Sequence, residues 1–139
     1  RSMTPKTAKA KSRMRQVMGI ADNYAYWPLV RQIFSEGLWA ERFEDGRDQT
    51  AFDAGLVAAP RVLDALDGIA AEGLVLGTDL TLADCHLWPM IDYFIMVPEG
   101  AVLLADRPSL TCWADRMRAN PAAFSTAPEL GKGISGGKA

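Results

Sequence analysis

Apolar residues recur every three or four positions along most of the chain, which is the spacing of one face of an α-helix. The first such run predicts a helix over residues 8–26. Its buried face would be formed by Met14, Val17, Met18, Ala21 and Ala25. Pro28 removes a backbone donor and disfavours helical dihedrals at Trp27, so we expect a kink or short break there. A shorter helix should follow and end near Gly37.

A second and longer helical pattern lies between a polar turn and a glycine. Residues 40–48 are polar and contain an Asp-Gly turn signal. The helix is predicted to run from about Gln49 to Glu72 and to end at Gly73. Pro60 interrupts its hydrogen-bond ladder, so the helix should bend. Its apolar stripe consists of Phe52, Leu56, Ala59, Leu63, Leu66 and Ala70.

The third long helix is predicted to start at a capping box. Thr81 can accept a hydrogen bond from the amide of Asp84, and the Asp84 side chain can accept one from the amide of Thr81. Leu80 should pack on Cys85 as a hydrophobic staple. The helix over residues 82–95 is apolar on most sides, so it should lie at the centre of the fold.

Two shorter helices complete the pattern, one from Pro98 to Ala105 and one that starts at Pro108 and ends at Asn120-Pro121. The buried side of the last helix is marked by Leu110, Trp113 and Met117. Nothing in the sequence has the alternation of a β-strand or the glycines of a phosphate-binding loop. The sequence therefore predicts an all-α bundle of five or six helices.

Length and composition are those of one globular domain, with 139 residues, 49% hydrophobic and 23% charged. Residues 131–139 have too little apolar content to pack and are predicted to form a flexible tail. The net charge of −2 gives no overall attraction to nucleic acid or to an anionic membrane. Residues 1–16, however, hold six basic residues and no acidic one. This basic opening could bind phosphate or could be a solvated helix start.

The chain contains no targeting or membrane signal. No apolar segment of a signal peptide follows the basic opening, and no apolar run is long enough to span a membrane. Cys85 and Cys112 form no CxxC pair. We therefore expect a cytoplasmic protein with reduced thiols.

Catalytic groups are scarce. His86 is the only histidine, and the adjacent Cys85 points about 100° away from it on a helix, so neither a metal site nor a Cys–His pair is indicated. No pair of carboxylates stands out as an acid–base couple. These residues suit a domain that shapes a site rather than one that performs the chemistry.

Three segments resemble the all-helical C-terminal domain of bacterial cytosolic glutathione transferases. They are LVLGTDLTLADCHLWPMIDYF, RPSLTCWADRMRANPAAFST and RMRQVMGIADNYAYWPLV. The most specific feature is the pattern G-x-x-x-[ST]-x-A-D, from Gly77 to Asp84, whose capping box has a structural role in that family. The resemblance covers residues 5–130 and implies an orthogonal helical bundle. Residues 1–4 would then be a tag remnant or linker.

The resemblance also implies partners and a function. The family's thioredoxin-like N-terminal domain, which activates glutathione, is absent from this sequence. The chain would therefore bind no cofactor alone and be inactive alone, although its parent would conjugate glutathione, as co-substrate, to small apolar electrophiles. The resemblance implies a homodimeric parent. The alternative is a stand-alone helical module that binds a protein or a ligand without catalysis.

By the same resemblance, two helices wall the electrophile pocket. The substrate-binding residues implied are Asn23, Tyr24, Trp27, His86, Met90 and Tyr93. Gln16 falls where the family offers a polar contact to glutathione held by the partner subunit.

Each of these assignments has a structural alternative. The three aromatic residues could belong to a core or an interface, and His86 could be a hydrogen-bonded structural histidine. Met90 could fill the core, and Gln16 could simply be exposed.

Overall fold

The first helix is continuous from Ala8 to Phe43. The computed structural model, which describes residues 3–120, divides it into α1 (Ala8–Ile20), a π-helical segment π1 (Ala21–Trp39) and α2 (Ala40–Phe43). The backbone stays right-handed helical at both junctions, with φ −62° and ψ −44° at Ile20 and φ −64° and ψ −37° at Ala40. Of the kink or short break expected at Pro28, the break is therefore wrong, and so is the helix end expected near Gly37.

The register of π1 explains how the helix passes through a proline. Pro28 has no N–H to donate, and the segment around it is wound with the wider i→i+5 hydrogen bonding, as from the amide of Ala40 to the carbonyl of Ser35. The register widens from Ala21 onward instead of the helix ending at Trp27. Wide turns of this kind are rare and are found frequently at functional sites.

The next helix, α3 (Gln49–Glu72), has the predicted bounds. Asp48 caps its start by accepting from the amide of Ala51 at 3.1 Å, and Gly73 ends it in the left-handed conformation at φ 85°. The helix continues through Pro60. Its buried face carries Phe52, Ala59, Leu63 and Leu66.

The core lies where α3 packs on π1. Buried residues of π1 recur four apart, at Ala21, Ala25, Leu29 and Ile33. The helices are in close contact at Gly55, where an added Cβ would lie 2.9 Å from Ile33 Cγ1 and 3.1 Å from the carbonyl oxygen of Pro28. A glycine is needed at this crossing because any side chain would force the two helices apart.

Three further helices complete the bundle: α4 (Leu82–Phe94), α5 (Pro98–Ala105) and α6 (Pro108–Ala119). Proline occupies the first position of α5 and of α6, where its missing N–H costs nothing. α6 has no side-chain cap of its own, and Asp67 of α3 accepts from the amide of Leu110 at 2.9 Å instead. Every regular element within residues 3–120 is helical, which confirms the all-α class.

Several of the predictions from sequence concern the two ends of the chain. The first two residues of the predicted tag remnant or linker, the helix stop at Pro121 and the tail 131–139 lie outside the described residues. Within the described part, no helix is long and apolar enough to cross a membrane.

Candidate functional site

The start of α4 is fixed by a buried hydrogen-bond network. The Asp84 carboxylate is fully buried and accepts from the amide of Thr81 at 2.7 Å, while Thr81 Oγ1 accepts from the amide of Ala83 at 3.1 Å. The predicted capping box is therefore confirmed. A third donor was not foreseen: Trp113 Nε1 of α6 donates to Asp84 Oδ1 at 2.7 Å. This network ties α4 to α6 and so sets the position of the α4 residues that follow it.

One predicted pocket residue, His86, joins α4 to π1. His86 Nε2 lies 2.6 Å from Asp22 Oδ1, with the histidine 34% and the aspartate 58% exposed. This bond makes His86 a hydrogen-bonded residue at the edge of the fold rather than a core histidine. Asp22 directly precedes the predicted residues Asn23 and Tyr24, so the contact brings the two predicted walls together at this level.

A second contact joins the same two elements further along α4. The half-buried Tyr93 ring packs on Phe34 of π1, with the ring centroids 4.7 Å apart and the planes tilted by 42°. Met90 lies between His86 and Tyr93 in sequence and packs, partly buried, on the core. The helical spacing of these three residues, four and three, keeps them on one side of α4.

The predicted residues of the first helix are the most exposed of the set. Tyr24 is 66% and Trp27 58% exposed, so neither is a core aromatic. Arg31 lies over the Trp27 ring at 5.4 Å from its centroid, in cation–π geometry. Asn23 Nδ2 donates to the carbonyl of Gly19 at 3.0 Å. Gln16 is exposed on α1.

Sequence reasoning missed Asp22 and Phe34, two π1 residues that contact α4. Each residue contacts α4 only because the fold brings α4 against π1 at that point. His86, the partner of Asp22, lies 64 residues later in the sequence. The interruption expected at Pro28 also obscured that both belong to one element. Asp22 could have been suspected as the acidic residue in the first turn of π1, but nothing local indicated His86 as its partner.

Two carboxyl groups, Glu72 and Asp92, have a pKa shifted by their surroundings. The hydrogen bond from Arg13, at 2.7 Å, lowers the pKa of the Glu72 carboxyl, and the nearby charge of Arg13 adds to the effect. Burial raises the pKa of Asp92 on α4, an effect that the charge of Arg118 opposes. Neither group lies among the predicted pocket residues, so these shifts point to ion pairing and packing rather than to acid–base chemistry.

A cavity of about 1360 Å³ lies apart from the predicted pocket residues. It is lined by the first residues of the described chain, by the connection between α3 and α4 and by Asn120. Of the residues assigned from the sequence, it includes Thr81 of the capping box and none of the pocket or glutathione-contact set.

One comparison with known proteins gives a match. Residues 49–116 match the family model described as Glutathione S-transferase, C-terminal domain. The matched segment contains α3, α4 and α5 and the first part of α6, and so includes the capping network and the predicted α4 residues. No curated protein matches the chain.

Proposed function

We propose that this chain forms the electrophile-side wall of a glutathione transferase, because residues 49–116 match the family model described as Glutathione S-transferase, C-terminal domain. The wall consists of the side of α4 that carries His86, Met90 and Tyr93 and the part of π1 that carries Asn23, Tyr24 and Trp27. The co-substrate glutathione is bound and activated by a thioredoxin-like N-terminal domain of the parent protein. The parent acts as a homodimer, in which Gln16 reaches glutathione on the partner subunit.

The observation that carries this proposal is the pair of contacts between α4 and π1. His86 meets Asp22 at 2.6 Å, and Tyr93 meets Phe34 at a centroid distance of 4.7 Å. The two elements therefore stay in contact over the two helical turns of α4 from His86 to Tyr93. Tyr24 and Trp27 extend from π1 with most of their surface exposed and so supply apolar area for a ligand.

The test is a titration with the neutral hydrophobic dye Nile red, followed by fluorescence. Tyr24→Ala and His86→Ala should each weaken binding about three- to tenfold, which corresponds to the loss of a few tens of Å² of apolar contact. Tyr26→Ala is the matched control, since Tyr26 belongs to the same segment, is 39% exposed and is outside the proposed wall. Equal affinities in all four proteins would contradict the proposed wall.

A stand-alone interaction module is the second candidate, and a separate exposed aromatic pair favours it. Trp39 and Phe43, 38% and 48% exposed, pack on each other with centroids 4.5 Å apart at the end of the first helix. If this pair docks a protein, Trp39→Ser with Phe43→Ser should abolish capture of that protein in a pull-down and leave Nile red affinity unchanged. Equal capture by the double variant would contradict the docking role.

A further inference from the structure

The exposed aromatic pair at the end of the first helix lies beside a loop that returns to that helix. Trp39 and Phe43 are four positions apart, which places them on one side of the helix, with their ring centroids 4.5 Å apart. Glu36, which lies one turn before Trp39, accepts a hydrogen bond from the amide of Asp48 at 2.8 Å. Residues 36–48 therefore form a closed segment that contains both rings.

This segment is acidic. It contains five acidic and two basic residues. Arg47 pairs with Glu41 at 3.5 Å and lies over the Phe52 ring at 4.3 Å from its centroid, so its charge is used within the chain. Glu44 and Asp45 are exposed, and within residues 3–120 neither forms an ion pair. The surface therefore presents apolar rings next to negative charge that the described chain does not neutralise.

Packing fixes the helix end that carries the two rings. Gly37 lies so close to its neighbours that an added Cβ would be 2.6 Å from Phe52 Cε1 and 2.9 Å from Val97 Cγ1. Ala40, between the two aromatic positions, is 2% exposed. A surface that is held in place before it binds loses less conformational entropy on binding, which favours a specific contact.

The combination of rings and carboxylates selects the chemistry of a partner. Positive charge on the partner is attracted to the carboxylates, whereas an acidic partner is repelled. The planar guanidinium of arginine also stacks on aromatic rings. The chain itself uses this contact twice, since Arg31 lies over Trp27 at 5.4 Å and Arg47 over Phe52 at 4.3 Å. An arginine-rich segment with apolar side chains complements both features.

We propose that residues 36–48 dock a basic peptide segment of a partner protein. Its apolar side chains pack on Trp39 and Phe43, and its arginines lie at Glu44 and Asp45. This inference rests on the docking role of the same aromatic pair and names the chemistry of the partner. It is independent of the electrophile wall, because the two surfaces share no residue.

The test measures binding of three fluorescein-labelled peptides of ten residues to the whole chain by fluorescence polarisation. One peptide alternates arginine with leucine, one glutamate with leucine, and one arginine with serine. The arginine–leucine peptide should bind. Each of the others should bind at least about tenfold more weakly, because one lacks the positive charge and the other lacks the apolar side chains. Equal binding of either control peptide would overturn the proposal.

An aromatic substitution places the peptide on this segment. Trp39→Ala should weaken binding of the arginine–leucine peptide at least about tenfold, because it removes the apolar contact. Tyr26→Ala is the matched control, since it removes another exposed ring from the same continuous helix, and it should leave the affinity unchanged. Circular dichroism verifies that each variant is folded. Equal losses in the two variants would show unspecific adhesion and overturn the site.

A charge substitution tests the second half of the recognition. Glu44→Gln with Asp45→Asn should weaken binding of the same peptide about three- to tenfold by removing two attractive charges. Glu99→Gln with Asp106→Asn removes the same charge from exposed positions at the two ends of α5 and should change nothing. An equal loss in this control pair would mean that only the net charge of the protein matters, which contradicts the proposed site.

Failure of this proposal is distinguishable from failure of the docking role. If the arginine–leucine peptide does not bind, although capture in the pull-down still requires Trp39 and Phe43, the partner chemistry is wrong and the docking role remains. If capture is equal in the double serine variant and Trp39→Ala binds the peptide as tightly as wild type, both are wrong. Nile red affinity reports on the electrophile wall alone and should be unchanged in all of these variants.

Discussion

At the scale of single residues, the Asp84 carboxylate has the clearest energetic role. It is fully buried and accepts hydrogen bonds from the amide of Thr81 and from Trp113 Nε1. Asp84→Ala would leave both donors buried without a partner, at a cost of about 1–3 kcal/mol for each. We expect the free energy of unfolding, measured with urea, to fall by about 3 kcal/mol.

The control for this variant is Asp79→Ala, in the connection that precedes the same helix. Asp79 is exposed and has no hydrogen-bond partner within the described chain, so its loss should change stability by less than about 0.5 kcal/mol. Similar unfolding midpoints for the two variants would mean that the buried network contributes nothing. The capping box could be predicted from Thr81 and Asp84 alone. The hydrogen bond from Trp113 to Asp84 could not, because the two residues are 29 positions apart in the sequence.

Asp92 should make stability depend on pH in the direction opposite to an ordinary surface carboxylate. Burial raises its pKa in the folded protein, so the folded state holds the proton more tightly and stability falls as pH rises through that pKa. Asp92→Asn should therefore stabilise the protein at pH 7, by no more than about 1 kcal/mol because solvent still reaches the group. At about pH 3, where the carboxyl is protonated in both states, the gain should vanish.

Urea unfolding of wild type and Asp92→Asn at both pH values checks this prediction. Asp106→Asn, an exposed carboxyl at the end of α5, is the control and should show no gain at pH 7. A variant that is less stable than wild type at pH 7 would mean that the attraction between Asp92 and Arg118 outweighs the cost of burial.

At the scale of elements, the crossing of α3 and π1 depends on the absence of a side chain. A Cβ at Gly55 would lie 2.9 Å from both Gln32 Cβ and Ile33 Cγ1. Gly55→Ala should therefore destabilise the fold by about 1–3 kcal/mol, even though alanine is the better helix former. The measurement is the urea midpoint.

The matched control lies on the same helix. Gly68 has nothing within 4 Å of an added Cβ, so Gly68→Ala should stabilise the protein by about 0.5–1 kcal/mol through helix propensity alone. Opposite signs for the two substitutions support the close crossing, and a stabilising Gly55→Ala would contradict it.

The elements differ in how far their sequence determined them. The bounds of α3 were predictable because Asp48 and Gly73 act locally, one as a cap and the other as a left-handed stop. The bounds of the first helix were not predictable from local sequence. Pro28 disfavours an ordinary helix, whereas the burial of Ala25, Leu29 and Ile33 in the core favours a continuous one. Tertiary contact prevailed over local propensity, and the register widened to i→i+5. The contacts of Asp22 and Phe34 with α4 were hidden for the same reason.

At the scale of the whole molecule, the proposed function assigns this chain a pocket wall and assigns the reacting group to another domain. Among residues 3–120 no cluster of three potential metal ligands occurs, and both cysteines are exposed and unpaired. The only histidine is bonded to Asp22. In the proposed transferase, the thiol of glutathione must first be deprotonated, and the residue that favours this step belongs to the thioredoxin-like domain.

We therefore expect the 139-residue chain to give no turnover of glutathione with a chromogenic apolar electrophile, although it binds Nile red. Absorbance at the wavelength of the conjugate measures the rate, and a two-domain glutathione transferase serves as the positive control. An immunoblot of the source cells against this domain should detect a polypeptide well above 15.1 kDa, large enough to include the second domain. Turnover by the chain alone would show that it holds its own thiol-activating group. A native mass of 15.1 kDa without turnover would instead favour the interaction module.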